Sequence, residues 1–466
     1  MSLEGAIAAH RFGLGARPGE IDAASASPKA WLLKQLDSPP DQPVPLDGGD
    51  PFKSGGDLVA DLIQYRQDRN MEKDQAAAGM PKGAAPDPVK EFFKTRVTQY
   101  TREMAGRFAV GFTTQMPFAE RLVWFWSNHF VVSALNPAAI TFVGAFEREA
   151  IRPNIAGKFE DMLLAATRHP AMQLYLDNAQ SIGPDSIAAK VSGKGLNENL
   201  GRELMELHTL GVDGGYTQAD VIALAKILTG WSIDRQGGGG NGFRYYPARH
   251  EPGDIVLRGK TYNGGEDAGI QALKDLAHDP ATARHIAKKF AVAFVADNPS
   301  QSSIDRLAKN FMQTGGDLRA LTEAAVNDPA AWIPGNGKMR SPVEYTTAAM
   351  RLVGWPHGND KADQTKQVQG VMAATRMMGE FPLAAPSPKG WPDNSDAWDG
   401  SDALLNRIQW AKELGNRIPA SVDTMSIAEM GMGPLLQADT RTAIKSSANA
   451  GEAMALLISS PEFQRR

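Results

Sequence analysis

The sequence predicts an all-α protein. Apolar residues recur at helical spacing in one segment after another, and only two short stretches look extended. A hydrophobic fraction of 42% over 466 residues supplies a sizeable core. No sharp shift of composition divides the chain and no internal repeat is visible, so residues 1–466 are expected to form a single, mostly helical domain.

Taken in order, helical periodicity covers residues 3–10, 29–36, 58–74 and 89–115. Between them, 38–57 is rich in Pro, Gly and Asp, and 75–88 mixes charge with Ala, Gly and Pro; both read as irregular excursions. The next helix, 118–130, places Leu122, Phe125, Trp126 and His129 at i, i+3, i+4, i+7 on an apolar face, with Arg121, Trp124 and Asn128 on another. Helices at 138–151 and 171–177 follow, then the loose segment 181–195, a candidate lid.

A helix at 198–210 ends in the glycines of Val212-Asp213-Gly214-Gly215-Tyr216. Thr217 caps the next, at 218–228, with Asp220 at its third position. Residues 234–266 form another excursion, with a run of glycines at 237–240 and extended stretches at 242–246 and 255–257 that suit at most one short hairpin. Helical patterns resume at 269–277, 281–296, 304–312, 318–326, 343–353, 367–378 and 403–414 and continue to the C-terminus, broken by a Pro-rich loop at 381–400.

Composition excludes several functional classes. Lys plus Arg total 49 against 53 for Asp plus Glu, so no charge excess points to nucleic acid or to an anionic membrane. The absence of cysteine removes disulfides, thiolate nucleophiles and sulfur-based zinc sites. No apolar run is long enough for a membrane span, and the first residues carry no secretion signal; a native Met1 therefore implies the cytoplasm, and a removed signal implies export. There is no P-loop, no Rossmann glycine pattern and no Gly-x-Ser-x-Gly elbow. The sequence names no cofactor and leaves the oligomeric state open.

Chemically capable side chains concentrate between residues 196 and 233. Glu198, Arg202 and Glu206 share one helical stripe at i, i+4, i+8, flanked by Asn199 and Glu203, while Asn197, Gly201 and His208 line another edge. This stripe is either a solvated surface laced by ion pairs or the wall of a cleft. Two Asn and a Gly weaken helix propensity there, which favours the cleft, and Gly201 permits close approach of another backbone or a ligand. Within a regular helix Glu206 and His208 do not converge, so they do not share a metal.

Other candidates lie outside the stripe. His129 faces the core, where it is either a hydrogen-bonded core residue or a base. His250, Glu251 and Asp254 offer acid/base or metal-binding groups, or else a plain Pro-Gly turn. Without Cys, a divalent ion has His129, His250 or Asp254 to choose from. Trp391 and Trp398 sit beside acids in the 381–400 loop, suited either to stacking on a sugar ring or to plugging the loop onto the core.

A longer set of motifs runs through the chain. Arg11-Phe12-Gly13-Leu14-Gly15, Phe125 to Phe130, His169-Pro170-Ala171-Met172 with Tyr175-Leu176-Asp177, and Asn197-Glu198-Asn199 through Gly211 come first. Gly214 to Thr217, Leu228 to Trp231, Pro280 to Arg284, Arg340 to Glu344 and Pro386 to Pro392 follow in the same order. Together they resemble a bacterial family, the one numbered 1800 among domains of unknown function, over nearly the whole length. The resemblance implies a largely helical protein, often exported, and carries no reaction with it. Where that family tends to have His-Asp-Pro-Gly-Asp, this chain has His250-Glu251-Pro252-Gly253-Asp254.

Two functional classes fit the residues. One is an enzyme of hydrolase or lyase type on a polar, carbohydrate-like substrate, with Glu198, Glu203, Glu206, His129 and His208 as its acid/base groups. Its substrate-binding set is Asn128, Asn197, Asn199, Arg202, Trp231, His250, Asp254 and Trp391. The other is a non-catalytic helical binding or assembly protein whose polar motif is a structural network. In either case a small-molecule or glycan ligand is the expected partner.

Overall fold

Helix starts are written into the sequence as prolines and side-chain caps. Pro117–His129, Pro170–Tyr175, Pro280–Phe294 and Pro342–Leu352 all open on proline, whose fixed φ suits the first turn and whose missing N–H leaves no orphan donor. Thr217 with Asp220 and Ser341 with Glu344 form reciprocal capping boxes. The computed structural model describes residues 1–77, 88–193, 195–236, 240–356 and 360–466. Most of the 75–88 excursion and of the glycine run 237–240 therefore lies outside the described residues.

Helices dominate the described residues, as the periodicity predicts, with bounds close to those read from sequence: Gly55–Ala77, Pro88–Thr113, Gln218–Ile227 and Leu318–Val326 among them. Three expected helices change character partway. Leu3–Ile7 continues as a π-helix over Ala8–Phe12, Val143–Phe146 as one over Glu147–Ile151, and Asn199–Glu203 as one over Leu204–His208. A π-turn rotates every later side chain away from its 3.6-residue position. Glu206 and His208 are displaced from the regular stripe in this way.

Two helices outside the expected loops, Glu20–Ser25 and Phe159–Arg168, add to those the periodicity gave, as does a third within the candidate lid. In the second, Phe159, Met162, Leu163 and Ala166 are buried at i, i+3, i+4, i+7, so its pattern was present to be read. The extended stretches also differ from expectation. Phe243–Tyr245 pairs with Trp231–Ile233, and Ile255–Leu257 with Lys260–Tyr262, giving two separate antiparallel ribbons instead of one hairpin. In the candidate lid, Ile187–Ser192 is helical and the preceding turn is pinned: Gly183 N donates to the Arg249 carbonyl (2.9 Å) and Asp185 N to Glu251 (2.9 Å).

Apolar side chains gather into two large clusters. One surrounds Trp126, Phe130, Phe159, Phe290 and Phe294; the other surrounds Phe112, Tyr345, Trp355, Trp410 and Met454. Trp124 and Met372 pack against both. The cleft described next opens along this seam.

Candidate functional site

The helix Pro117–His129 divides its side chains as its sequence dictates. Arg121, Trp124 and Asn128 line a cavity of about 120 Å³, which the buried Phe125 also borders, whereas Leu122, Trp126 and His129 are buried away from it. Asn128 does not present its amide to that cavity for a ligand. Its Nδ2 donates to the Trp391 carbonyl (2.9 Å) and its Oδ1 accepts from the Trp391 N–H (2.8 Å). This two-point clamp holds the 381–400 loop over the cavity. Gly390 makes it sterically feasible: its φ is +86°, and a Cβ there would lie 2.6 Å from the Asn128 carbonyl oxygen.

The clamped loop carries Trp391 and Asp393 into the lining. The Trp391 indole donates to the Phe381 carbonyl (3.2 Å) and packs 6.0 Å from Trp398, whose own indole donates to Pro392 (3.3 Å). Trp398 is buried and plugs the loop to the protein; Trp391 is half-buried and lines the cleft. Both indoles border the cavity, and the buried Trp398 also ties the loop to the protein.

Charges in the cleft are of two kinds. Glu344 is committed: it caps its own helix and takes ion pairs from Arg121 and from Arg466 (3.0 Å). Burial opposes its charge, but those guanidiniums hold its carboxyl down to about 2. Asp393 is uncommitted, with no hydrogen bond or ion pair among the described residues. Burial pushes its carboxyl up, against the opposing pull of Lys289. Lys289 lies behind the lining, close enough to act on Asp393; it too makes no hydrogen bond or ion pair among the described residues, and burial pulls its ammonium down. On the same lining, burial pushes Glu380 up to about 7 although it accepts the Val343 N–H (2.8 Å). Perturbed acids beside an open lining are a mark of functional sites.

The residues expected to be catalytic are not assembled. Glu198 accepts from Arg202 (3.0 Å) and Gln218 (2.7 Å) on a half-exposed face, as a surface ion-pair helix would. Glu203 and Glu206 repel one another there, which together with burial raises Glu203, and Glu206 lies beside the Tyr216 hydroxyl. Asn197 Oδ1 accepts from the Asn199 N–H (2.9 Å), a turn bond that leads into the helix. Gly201 serves the close approach its sequence suggests, to backbone: a Cβ would come within 3.0 Å of Ala225 N and Val221 O.

His129 and His208 lie in the core and bond none of these glutamates. His129 Nε2 bonds the His208 carbonyl (3.1 Å), and the rings lie 6.0 Å apart with His285 6.2 Å from His129. Burial, reinforced by Lys289, pulls His208 down to about 3 and His285 to about 4. Trp231 is fully buried, with the Arg168 guanidinium 5.1 Å over its ring, so it fills the core and lines no cleft. His250 Nδ1 bonds the Thr229 carbonyl (2.9 Å), and Asp254 accepts from Asn263 (2.6 Å) at the surface. Glu251 is buried, paired with Lys226 (2.7 Å), and holds the 183–186 turn. His129, His250 and Asp254 do not converge, and among the described residues no group of three or more His, Cys, Asp or Glu is placed to hold a metal ion.

Of the residues named from sequence, then, Asn128 and Trp391 are brought together at the cleft. Glu344, Glu380, Asp393 and Arg466 are the members that local patterns did not nominate. The profile of the family described as "Protein of unknown function (DUF1800)" matches residues 7–465. The chain belongs to this family. Curated proteins and solved structures yield no match. Within this DUF1800 chain, three of the motifs that carry the resemblance, Phe125 to Phe130, Arg340 to Glu344 and Pro386 to Pro392, meet at the cleft. No helix among the described residues is long and apolar enough to cross a membrane.

Proposed function

We propose that this protein is an acid–base enzyme of hydrolase or lyase type acting on a polar substrate in the cleft beneath Trp391. The observation that carries the reading is the pair of carboxyls on one lining, Asp393 and Glu380, both raised by burial. A carboxyl whose hold on its proton is strengthened by burial can deliver that proton to a leaving group, and a second can accept one from water. In this reading Asp393 and Glu380 form the acid–base pair, and the charge of Lys289 acts on Asp393 from behind the lining. The Trp391 ring suits stacking on a sugar, and Asn128 positions the loop that bears both this ring and Asp393.

A binding role without turnover is the second reading. It is favoured by the arginines of the cleft, since Arg107 and Arg121 are both committed to protein carboxylates. A panel of chromogenic glycosides and esters separates the two. Turnover by the wild type is expected to fall by about 10²-fold or more in Asp393→Asn, with unchanged melting temperature. Saturable binding of panel members with no turnover, unaffected by Asp393→Asn, supports the binding protein instead.

A further inference from the structure

Away from the cleft, the antiparallel helices Gly55–Ala77 and Pro88–Thr113 enclose a groove of about 510 Å³ lined by Tyr65, Arg66, Arg69, Phe92, Phe93 and Arg96. Three guanidiniums and no carboxylate belong to that lining. Arg96 is only 6% exposed, yet it makes no hydrogen bond or ion pair among the described residues, and its Nε is buried without a partner. Arg66 and Arg69 are equally unpaired. Arg96 also borders the adjoining groove, which carries the carboxylates of Asp61, Asp68 and Glu91, yet none of them makes a hydrogen bond or ion pair with it. Other buried arginines of this protein have hydrogen-bond partners: Arg152 pairs with Glu120 and Glu147, Arg351 with Glu20, and Arg11, Arg340 and Arg407 donate to backbone carbonyls.

What Arg96 does have is a ring. Tyr65 and Phe92 are stacked with centroids 3.6 Å apart and planes 1° from parallel, and the Arg96 guanidinium lies 4.8 Å over Phe92. A cation–π contact leaves the N–H donors of a guanidinium unmade, and a buried unpaired cation is costly. An anion supplied from outside would satisfy those donors, and the aromatic wall would cover an apolar body attached to it. We infer that this groove binds a small organic anion, a phosphate or carboxylate carried on an aryl or alkyl group, with Arg96 as its deep contact and Arg66 and Arg69 at the rim. Arg235 stands close enough to Arg66 to lower its proton affinity, which adds a fourth positive charge to the neighbourhood.

Isothermal titration at low ionic strength, with phenyl phosphate, inorganic phosphate and phenol as separate probes, tests the site. Phenyl phosphate is expected to saturate one site, inorganic phosphate to bind more weakly and phenol not to bind. Arg66→Gln combined with Arg69→Gln, both exposed, should weaken phenyl phosphate by about tenfold or more, as loss of charge-assisted contacts does. Arg96→Leu should abolish binding and raise the melting temperature of the ligand-free protein, because it removes an unpaired buried charge. The inference is overturned by absence of saturable phenyl phosphate binding, by phenol binding as well as phenyl phosphate, or by an unchanged affinity in the double variant. A fall in melting temperature of Arg96→Leu also overturns it, since Arg96 would then be a structural residue. So does binding confined to phosphatidylserine vesicles, which would mark a membrane-facing surface.

Discussion

Glu147 accepts from Arg107 Nε (2.7 Å), Ser127 Oγ (2.9 Å) and Arg152 Nη2 (2.7 Å), and Arg152 reaches on to Glu120. All of these side chains are buried. Burial works against the Glu147 charge, and the two guanidiniums overcome it, holding the carboxyl at about 2. Glu147→Ala leaves two buried cations short of a partner and is expected to cost about 3–5 kcal/mol in chemical denaturation. Glu198→Gln breaks a half-exposed i, i+4 pair and should cost under about 1 kcal/mol. Equal losses in the two variants would mean that the buried network contributes no more than a surface pair. At this scale the sequence was only partly readable. Asn128 and Trp391 stood out by residue type, but that Asn128 grips a backbone depends on a loop more than 250 residues away. Trp231 drew attention as an aromatic near acids, and Arg168 and Gly269, both remote in sequence, decide that it is core.

Helices as elements were legible because one period of apolar residues suffices to announce them and prolines or capping boxes mark their starts. The π-turns were not, because an extra residue per turn leaves no composition signature. Each of the three bears buried polar groups: His10 and Arg11 in one, Glu147 in another, His208 in the last. His10 shows what the displaced register permits, donating from Nε2 to the Gly431 carbonyl (2.8 Å) while Nδ1 accepts from Arg340 (2.8 Å). Pairing of the short strands was equally hidden, since a three-residue ribbon has too little alternation to select its partner. Two glycines test the packing of elements. Gly201→Val forces side-chain atoms against the backbone of Gln218–Ile227 and is expected to destabilise by about 1–3 kcal/mol. Gly370→Ala, in the exposed middle of Lys361–Met377 with nothing within 4 Å, should stabilise by about 0.5–1 kcal/mol. Urea titrations of both variants read the two signs directly, and a stabilising Gly201→Val would disprove the close helix contact.

Across the whole molecule, buried titratable groups fall into sets that oppose one another as pH falls. His10, His129, His208 and His285 are all held neutral by burial, His10 and His208 at about 3 and His285 at about 4 against an ordinary value of 6.5. Below pH 6.5 the unfolded chain binds these protons and the native protein does not, so this set lowers stability as pH falls. Glu103 and Glu380, raised by burial to about 7 against an ordinary 4.5, do the reverse: between pH 7 and 4.5 the native protein holds protons that the unfolded chain releases. Asp393 and Glu203, also raised, act in the same sense. Below pH 4.5 the unfolded glutamates are protonated too, and their help ends. There the histidines are joined by Glu147 and Glu344, whose carboxyls at about 2 must be protonated only in the unfolded chain. The expected melting curve is therefore shallow from pH 7 to about 4.5 and steep below it. Replacing Glu103 and Glu380 by Gln removes two of the four members of the opposing set, and the decline between pH 6.5 and 4.5 should then be steeper than in the wild type. Calorimetry of the wild type and this double variant between pH 7 and 3 checks the account. A double variant as flat as the wild type down to pH 5 would show that the histidines are not the buried neutral groups their packing makes them.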